Sequence, residues 1–225
     1  MTYKAIGSIG KLLTFTAIIL AVVVGCKEKT KTVSVTGKDY FPMSVGSYFI
    51  YEVDSILHDA SQSSIDTSHY LVKDVVIEEL VDSANLENFR IERYEMRDTV
   101  WLPLYTYTSY SLITSAQSVV NNIREVRMSY PISAIQSWNG NEFNSLQEEI
   151  YRYSEIEVPK TVLDIDYSNC VTVLQKEFIT QIGEEFREET FAKGVGMIYK
   201  FERNLDFQGA DGSEMIYKLR EYNLK

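Results

Sequence analysis

Few side chains in this chain have types and spacing that could do chemistry. It has two histidines, His58 and His69, and two cysteines, Cys26 and Cys170. General acid–base, triad and zinc chemistry all commonly lean on histidine. Both histidines lie among Ser, Asp and Thr, which reads as a loop region with solvated side chains. No G-x-S-x-G elbow is present. Cys170 sits in the strand-like stretch "NCVTVL" and reads as a small buried hydrophobe. Asp164, Asp166 and Ser168 have calcium-loop spacing, but Asn169 and Gln175 stand where glycine and glutamate should be, so a polar loop is expected. The Gly194–Gly196 pair precedes an alternating stretch and does not open a helix, which makes it a turn or bulge and not a phosphate loop. Paired acids ("EEL", "QEE", "GEEFREE") read as a solvated acidic face; glycosidase chemistry would need two of them facing across a cleft. The expectation is a protein that is not an enzyme, with no catalytic residue, metal or cofactor.

One excess stands against these absences. The chain has 16 tyrosines, and "VWLPLYTYTSY" places Trp101, Tyr105 and Tyr107 on one strand face. Such rows stack on sugar rings or line apolar pockets. They also form ordinary cross-strand pairs. These three are the candidate ligand-facing aromatics. Pro103 marks an edge strand or its start.

The elements that must position these residues are strands. "SYFIYEV" sets Tyr48 and Ile50 against Phe49, Tyr51 and Val53, so both faces are apolar and the strand is central. "HYLVKDVVIEELV" keeps Leu71, Val75, Ile77 and Val81 mostly in one phase. "NFRIERYEMRD" sets Phe89 and Ile91 against Arg90 and Glu92. "MIYKFER" sets Met197, Tyr199 and Phe201 against Lys200 and Glu202, and "EMIYKLREY" groups Met215, Tyr217 and Leu219. This alternation marks half-buried antiparallel strands. Asp211-Gly212 predicts a hairpin and Asn139-Gly140 a second turn. Two segments have helix-like spacing: "SVVNNIREV", and "SLQEEIYRY", which runs on into the alternating "SEIEV" and is read as strand. The fold class is mainly β: one antiparallel sheet system of about nine or ten strands, closing into a barrel or half-barrel.

Before this body comes an address. Lys4 and Lys11 precede 13 residues, Leu12 to Val24, with no charge among them. That is short of the roughly 20 residues needed to span hydrocarbon, so it reads as a secretory signal helix. "VVGC", ending at Cys26, resembles the lipobox of bacterial lipoproteins, with Val23 where leucine is usual. The resemblance implies diacylglycerol on the Cys26 thiol, cleavage before it and acylation of the new amino end. Several chains on one residue would fix the protein to a membrane. Residues 27 to 38 carry four lysines and one glutamate and read as a flexible tether reaching about 40 Å. From Asp39 onward, 16 basic residues face 31 acidic ones. A body that acidic repels nucleic acid.

"DYFPMSVGSYFIYEVDS", "WNGNEFN" and "FAKGVGMIYKFE" together resemble a set of Bacteroidota lipoproteins with no characterised activity. The resemblance implies β architecture and an outer-membrane location, on the periplasmic side or the cell surface. The expected domains are a signal peptide at 1–25, a lipidated Cys26 with tether over 26–38, and a single β domain over 39–225. The first functional reading is a non-catalytic binding or assembly module with a protein partner. The alternative is an open barrel carrying a small apolar ligand, and the third is a saccharide-binding or saccharide-acting surface protein. Cys26→Ala is expected to leave an uncleaved or soluble protein, tested by membrane fractionation with labelled palmitate; an unlabelled wild type would refute the anchor.

Overall fold

The computed structural model describes residues 37–206 and 210–225. Cys26, the signal segment and most of the tether lie outside the described residues. The body is a single twelve-stranded antiparallel sheet. Its strands are β1 (Tyr48–Asp59), β2 (Ser64–Val81), β3 (Glu87–Arg97), β4 (Val100–Ser111), β5 (Ser115–Val120) and β6 (Ile123–Ser129), then β7 (Ser137–Asn139), β8 (Ile150–Val162), β9 (Ile165–Ile179), β10 (Gly183–Ala192), β11 (Gly196–Asp206) and β12 (Asp211–Asn223). Each strand pairs with its neighbour in sequence, except that β6 and β7 are not paired and β1 pairs β12. The sheet is thus an up-and-down meander that nearly closes into a barrel, with β1 at its centre, flanked by β2 and β12.

The remaining gap is bridged. Val126 N–H of β6 donates to Gly140 O at 2.9 Å, and Trp138 Nε1 of β7 donates back to Val126 O at 2.8 Å. The Tyr153 hydroxyl reaches Ser129 O (2.7 Å) and the Asn144 amide reaches Arg124 O (2.9 Å). Gly140 is required here because the Tyr151 ring occupies the space where a Cβ would stand. The Asn139-Gly140 turn signal therefore marks the closure point of the barrel.

Turn chemistry fixes other registers. Asn121 and Asn122, both at positive φ, join β5 to β6 as a two-residue hairpin. "SVVNNIREV" is therefore two strands and not a helix; its helical spacing comes from apolar residues on either side of the turn. "IYRYSEIEV" is strand β8, and β11–β12 form the expected hairpin. Asp211 and Gly212, however, already belong to β12, where they pair Asp206 and Leu205. Both histidines are in strands, His58 in β1 and His69 in β2, and not in a loop. Asp164 supplies the turn between β8 and β9 at φ 63°, and Asp166 accepts a hydrogen bond from the Thr161 hydroxyl at 2.6 Å.

Residues 37–47 close one end. The backbone bond Gly194 N–H to Asp39 O (2.7 Å) fastens this segment on one side, and the Ser111 hydroxyl to Phe41 O (3.1 Å) fastens it on the other. Tyr40 and Phe41 are buried there. If the seam carries closure, Trp138→Phe removes the side-chain donor to Val126 O while keeping an aromatic ring. Unfolding in urea should show a loss of about 1–3 kcal/mol; an unchanged midpoint would contradict the bridge.

Candidate functional site

Strand pairing puts residues that lie opposite each other on one face, and the inner wall of this barrel is charged as well as apolar. A cavity of about 340 Å³ lies inside. Phe41, Pro42 and Met43 of the end segment line it, with Phe49, Val76, Ile91 and Met197 from the strands. Tyr51, Tyr105, Tyr107 and Tyr217 share the same space, as do Asp74, Arg93, Glu125, Arg127, Glu189, Lys200 and Glu202.

The charges form a belt. Arg93 and Asp74 make a two-point pair, Nε–Oδ1 and Nη2–Oδ2, both at 2.7 Å. The Tyr107 hydroxyl donates to the same carboxylate (3.0 Å), and Arg93 Nη1 donates to the Tyr105 hydroxyl (3.0 Å). The guanidinium also packs over the rings of Tyr105, Tyr107 and Tyr217 at 5.6–5.7 Å. Burial alone would lower the Arg93 pKa, but the Asp74 charge outweighs it and raises it well above the ordinary value. Burial, then the Asp74 charge, pushes the Tyr107 phenol well up.

A second pair lies across the lumen. Arg127 binds Glu189 through Nε (2.9 Å) and Nη2 (2.6 Å) and packs over the rings of Phe41 and Phe191. Lys200 Nζ sits 3.8 Å from the same Glu189 carboxylate and 2.8 Å from Glu202. Burial would lower the Lys200 pKa; Glu189 and Glu202 outweigh burial and raise it. Glu125 accepts the Tyr151 hydroxyl at 2.7 Å.

Bulges set these positions. Tyr105 pairs Arg93 but Pro103 pairs Tyr94, so Leu104 is an extra residue in β4. It reverses the side-chain phase. Tyr105 and Tyr107 therefore line the cavity, while Trp101 faces outward beside Lys73, 5.7 Å from its ring. The three aromatics do not share one face. Pro103 lies where β4 has no second partner, since β5 pairs only Thr108 to Ser111. Ile198 is the extra residue in β11, and it brings Met197 into the cavity together with Lys200 and Glu202. The face drawn from "MIYKFER" is split there. Arg127 is itself the unpaired residue of β6 against β5. In β2 the buried phase is Val72, Asp74 and Val76, opposite to Leu71, Val75 and Ile77. A lone acid in phase with Val72 and Val76 in "LVKDVV", and an arginine in phase with Phe89 and Ile91, were the available signals for Asp74 and Arg93.

The histidines have carboxylate partners, which corrects their reading as free surface groups. His58 Nε2 lies 3.0 Å from Glu214, and His69 Nδ1 lies 2.6 Å from Asp54. Both pairs are on the outer wall and neither lines the cavity. The same wall carries Asp54–Lys218, Glu52–Arg220 and Glu78–Arg90 pairs. Ion pairs of this density suit water and not hydrocarbon. Cys170 is 1% exposed, bonds Tyr167 O, and has its pKa raised by burial. Acidic side chains do share the lumen, contrary to the expectation that no carboxylates would face one another in a pocket. Each of them is engaged by a cation or a phenol. Among the described residues, no group of three His, Cys, Asp or Glu could hold a metal ion, and no helix is long and apolar enough to cross a membrane.

No protein family model matches the chain, and no curated protein matches it. Two crystal structures are similar in fold. A "putative lipoprotein" from Parabacteroides distasonis aligns over 82% of this chain and 98% of its own, at 8% identity and a TM-score of 0.45. A "putative exported protein with YmcC-like fold" from Bacteroides fragilis aligns over 80% and 98%, at 8% identity and a TM-score of 0.44. A likeness of that depth assigns neither a family nor an activity.

Arg93→Met strands the Asp74 carboxylate in the lumen. It should cost about 3–5 kcal/mol, whereas Lys218→Met on the outer wall should cost about 1 kcal/mol or less. Equal shifts in urea midpoint would contradict a desolvated belt.

Proposed function

We propose that this protein is a non-catalytic binding lipoprotein whose barrel holds one small, largely apolar molecule in its interior. Cys26 anchors it to the outer membrane, on the periplasmic side or the surface. One observation carries this reading: a cavity of about 340 Å³, floored by Phe41 to Met43 and walled by apolar, tyrosine and paired charged side chains, lies inside a barrel whose outer wall is charged. Ligand cavities run from about 300 to 1,000 Å³, combining apolar walls with a few fixed polar groups. The rigid ion pairs serve as those fixed groups. They also support a binder over an enzyme, because general acid–base chemistry wants a group free to exchange a proton. Here Asp74 and Glu189 each hold an arginine at two points, and the Cys170 thiol is buried away from the cavity lining.

This favours the carrier over a docking module built on an exposed aromatic row, because the row is split: Tyr107 is turned into the cavity, Tyr105 lines its rim at 38% exposure, and Trp101 lies on the other face of β4. The neutral dye N-phenyl-1-naphthylamine should fluoresce on binding and saturate at one per protein. Ile91→Trp, which fills the cavity wall, should abolish the signal with unchanged circular dichroism. An unsaturable signal, or a variant that binds like wild type, would overturn the reading.

A further inference from the structure

We infer that the ligand carries a single acidic group, which docks at the Arg127–Glu189–Lys200 triad by taking the place of the Glu202 carboxylate. This inference rests on the binding reading above. Glu189 is the pivot. Its side chain is 3% exposed, and two cations share it: Arg127 at two points and Lys200 at 3.8 Å. Arg127 takes both oxygens of that carboxylate, so Lys200, held from it at 3.8 Å, draws its close contact from elsewhere.

Glu202 supplies that match, 2.8 Å from Lys200, and its side chain is 34% exposed. It is the most replaceable member of the cluster, because it can swing into water at little cost while Glu189 cannot. Glu125, the other nearby acid, accepts the Tyr151 hydroxyl and acts on Arg127; among the described residues it makes no ion pair with Lys200. The far side of the lumen offers no comparable charge, since Arg93 and Asp74 satisfy each other. A carboxylate beside Lys200 would gain a charge-assisted hydrogen bond in a desolvated place. The carbon body behind it would lie on Phe49, Val76, Ile91 and Met197, which line the same space.

The test is displacement of bound N-phenyl-1-naphthylamine by matched twelve-carbon competitors: dodecanoate, dodecanol, dodecylamine and dodecyl phosphate. Dodecanoate should displace the dye at a concentration about tenfold or more below dodecanol, the scale of one hydrogen bond to a charged group. It should also outcompete the doubly charged phosphate, because the Glu202 carboxylate that it replaces carries a single charge. Lys200→Met, with its stem retained, should erase the preference for dodecanoate over dodecanol. Glu202→Gln should strengthen dodecanoate binding by about threefold or more, since the internal competitor is gone. The second variant keeps the test decisive if the first folds poorly. Equal competition by acid and alcohol, tighter binding of the amine or the phosphate, no displacement by any competitor, or no gain in Glu202→Gln would each overturn the inference. Dye binding itself would still stand. Failure of the dye to bind wild type would instead remove the binding reading on which the inference depends.

Discussion

A sheet has two edges, and in this protein both edges meet on Val126. Its N–H goes to Gly140 O and its C=O receives Trp138 Nε1. Unpaired edge strands are a hazard that barrels remove by closing. Here closure happens mid-chain, between β6 and β7, while the first and last strands pair in the centre of the sheet. Through that seam the inner wall becomes an interior. Without it, the same residues would line an open trough wetted along its length.

Interior status dictates the rest. Arginines and acids enclosed by strands lose water, so each needs a partner with good geometry. The two-point Arg93–Asp74 and Arg127–Glu189 pairs meet that demand, and tyrosine rings cover the flat faces of the Arg93 guanidinium. Side chains held this rigidly prop the wall where a softer core would collapse. The cavity is what remains between the belt and the Phe41–Met43 floor.

The periodicity of the sequence revealed the strands more faithfully than their faces. Where a strand is regular, pattern and structure agree: Phe49, Tyr51 and Val53 of β1 point to the core, as do Tyr217 and Leu219 of β12. Where a bulge adds a residue, the pattern misleads, because a one-residue slip exchanges the two faces. Leu104 does this to the Trp101–Tyr105–Tyr107 row and Ile198 does it to "MIYKFER". Nothing in a single strand's composition announces the extra residue; it exists only relative to the neighbouring strand. The charged lumen was hidden for a related reason. Hydrophobic alternation assigns Asp74 and Glu189 to solvent, and only the opposed arginines, Arg93 across from Asp74 on the neighbouring strand and Arg127 from a strand remote in sequence from Glu189, make their burial tolerable. The histidines were misplaced because Ser- and Asp-rich strand ends resemble loops in composition.

The central claim is that the twelve strands enclose an interior, and Val126 reports on it directly. Amide hydrogen exchange followed by NMR at this residue separates a closed seam from a free edge. A closed barrel predicts protection of the Val126 N–H close to that of Tyr51 and Val53 in the central strand, lost only in global unfolding. Exchange at the rate of an exposed edge amide, with β1 still protected, would contradict it: the sheet would then be open and the cavity a groove.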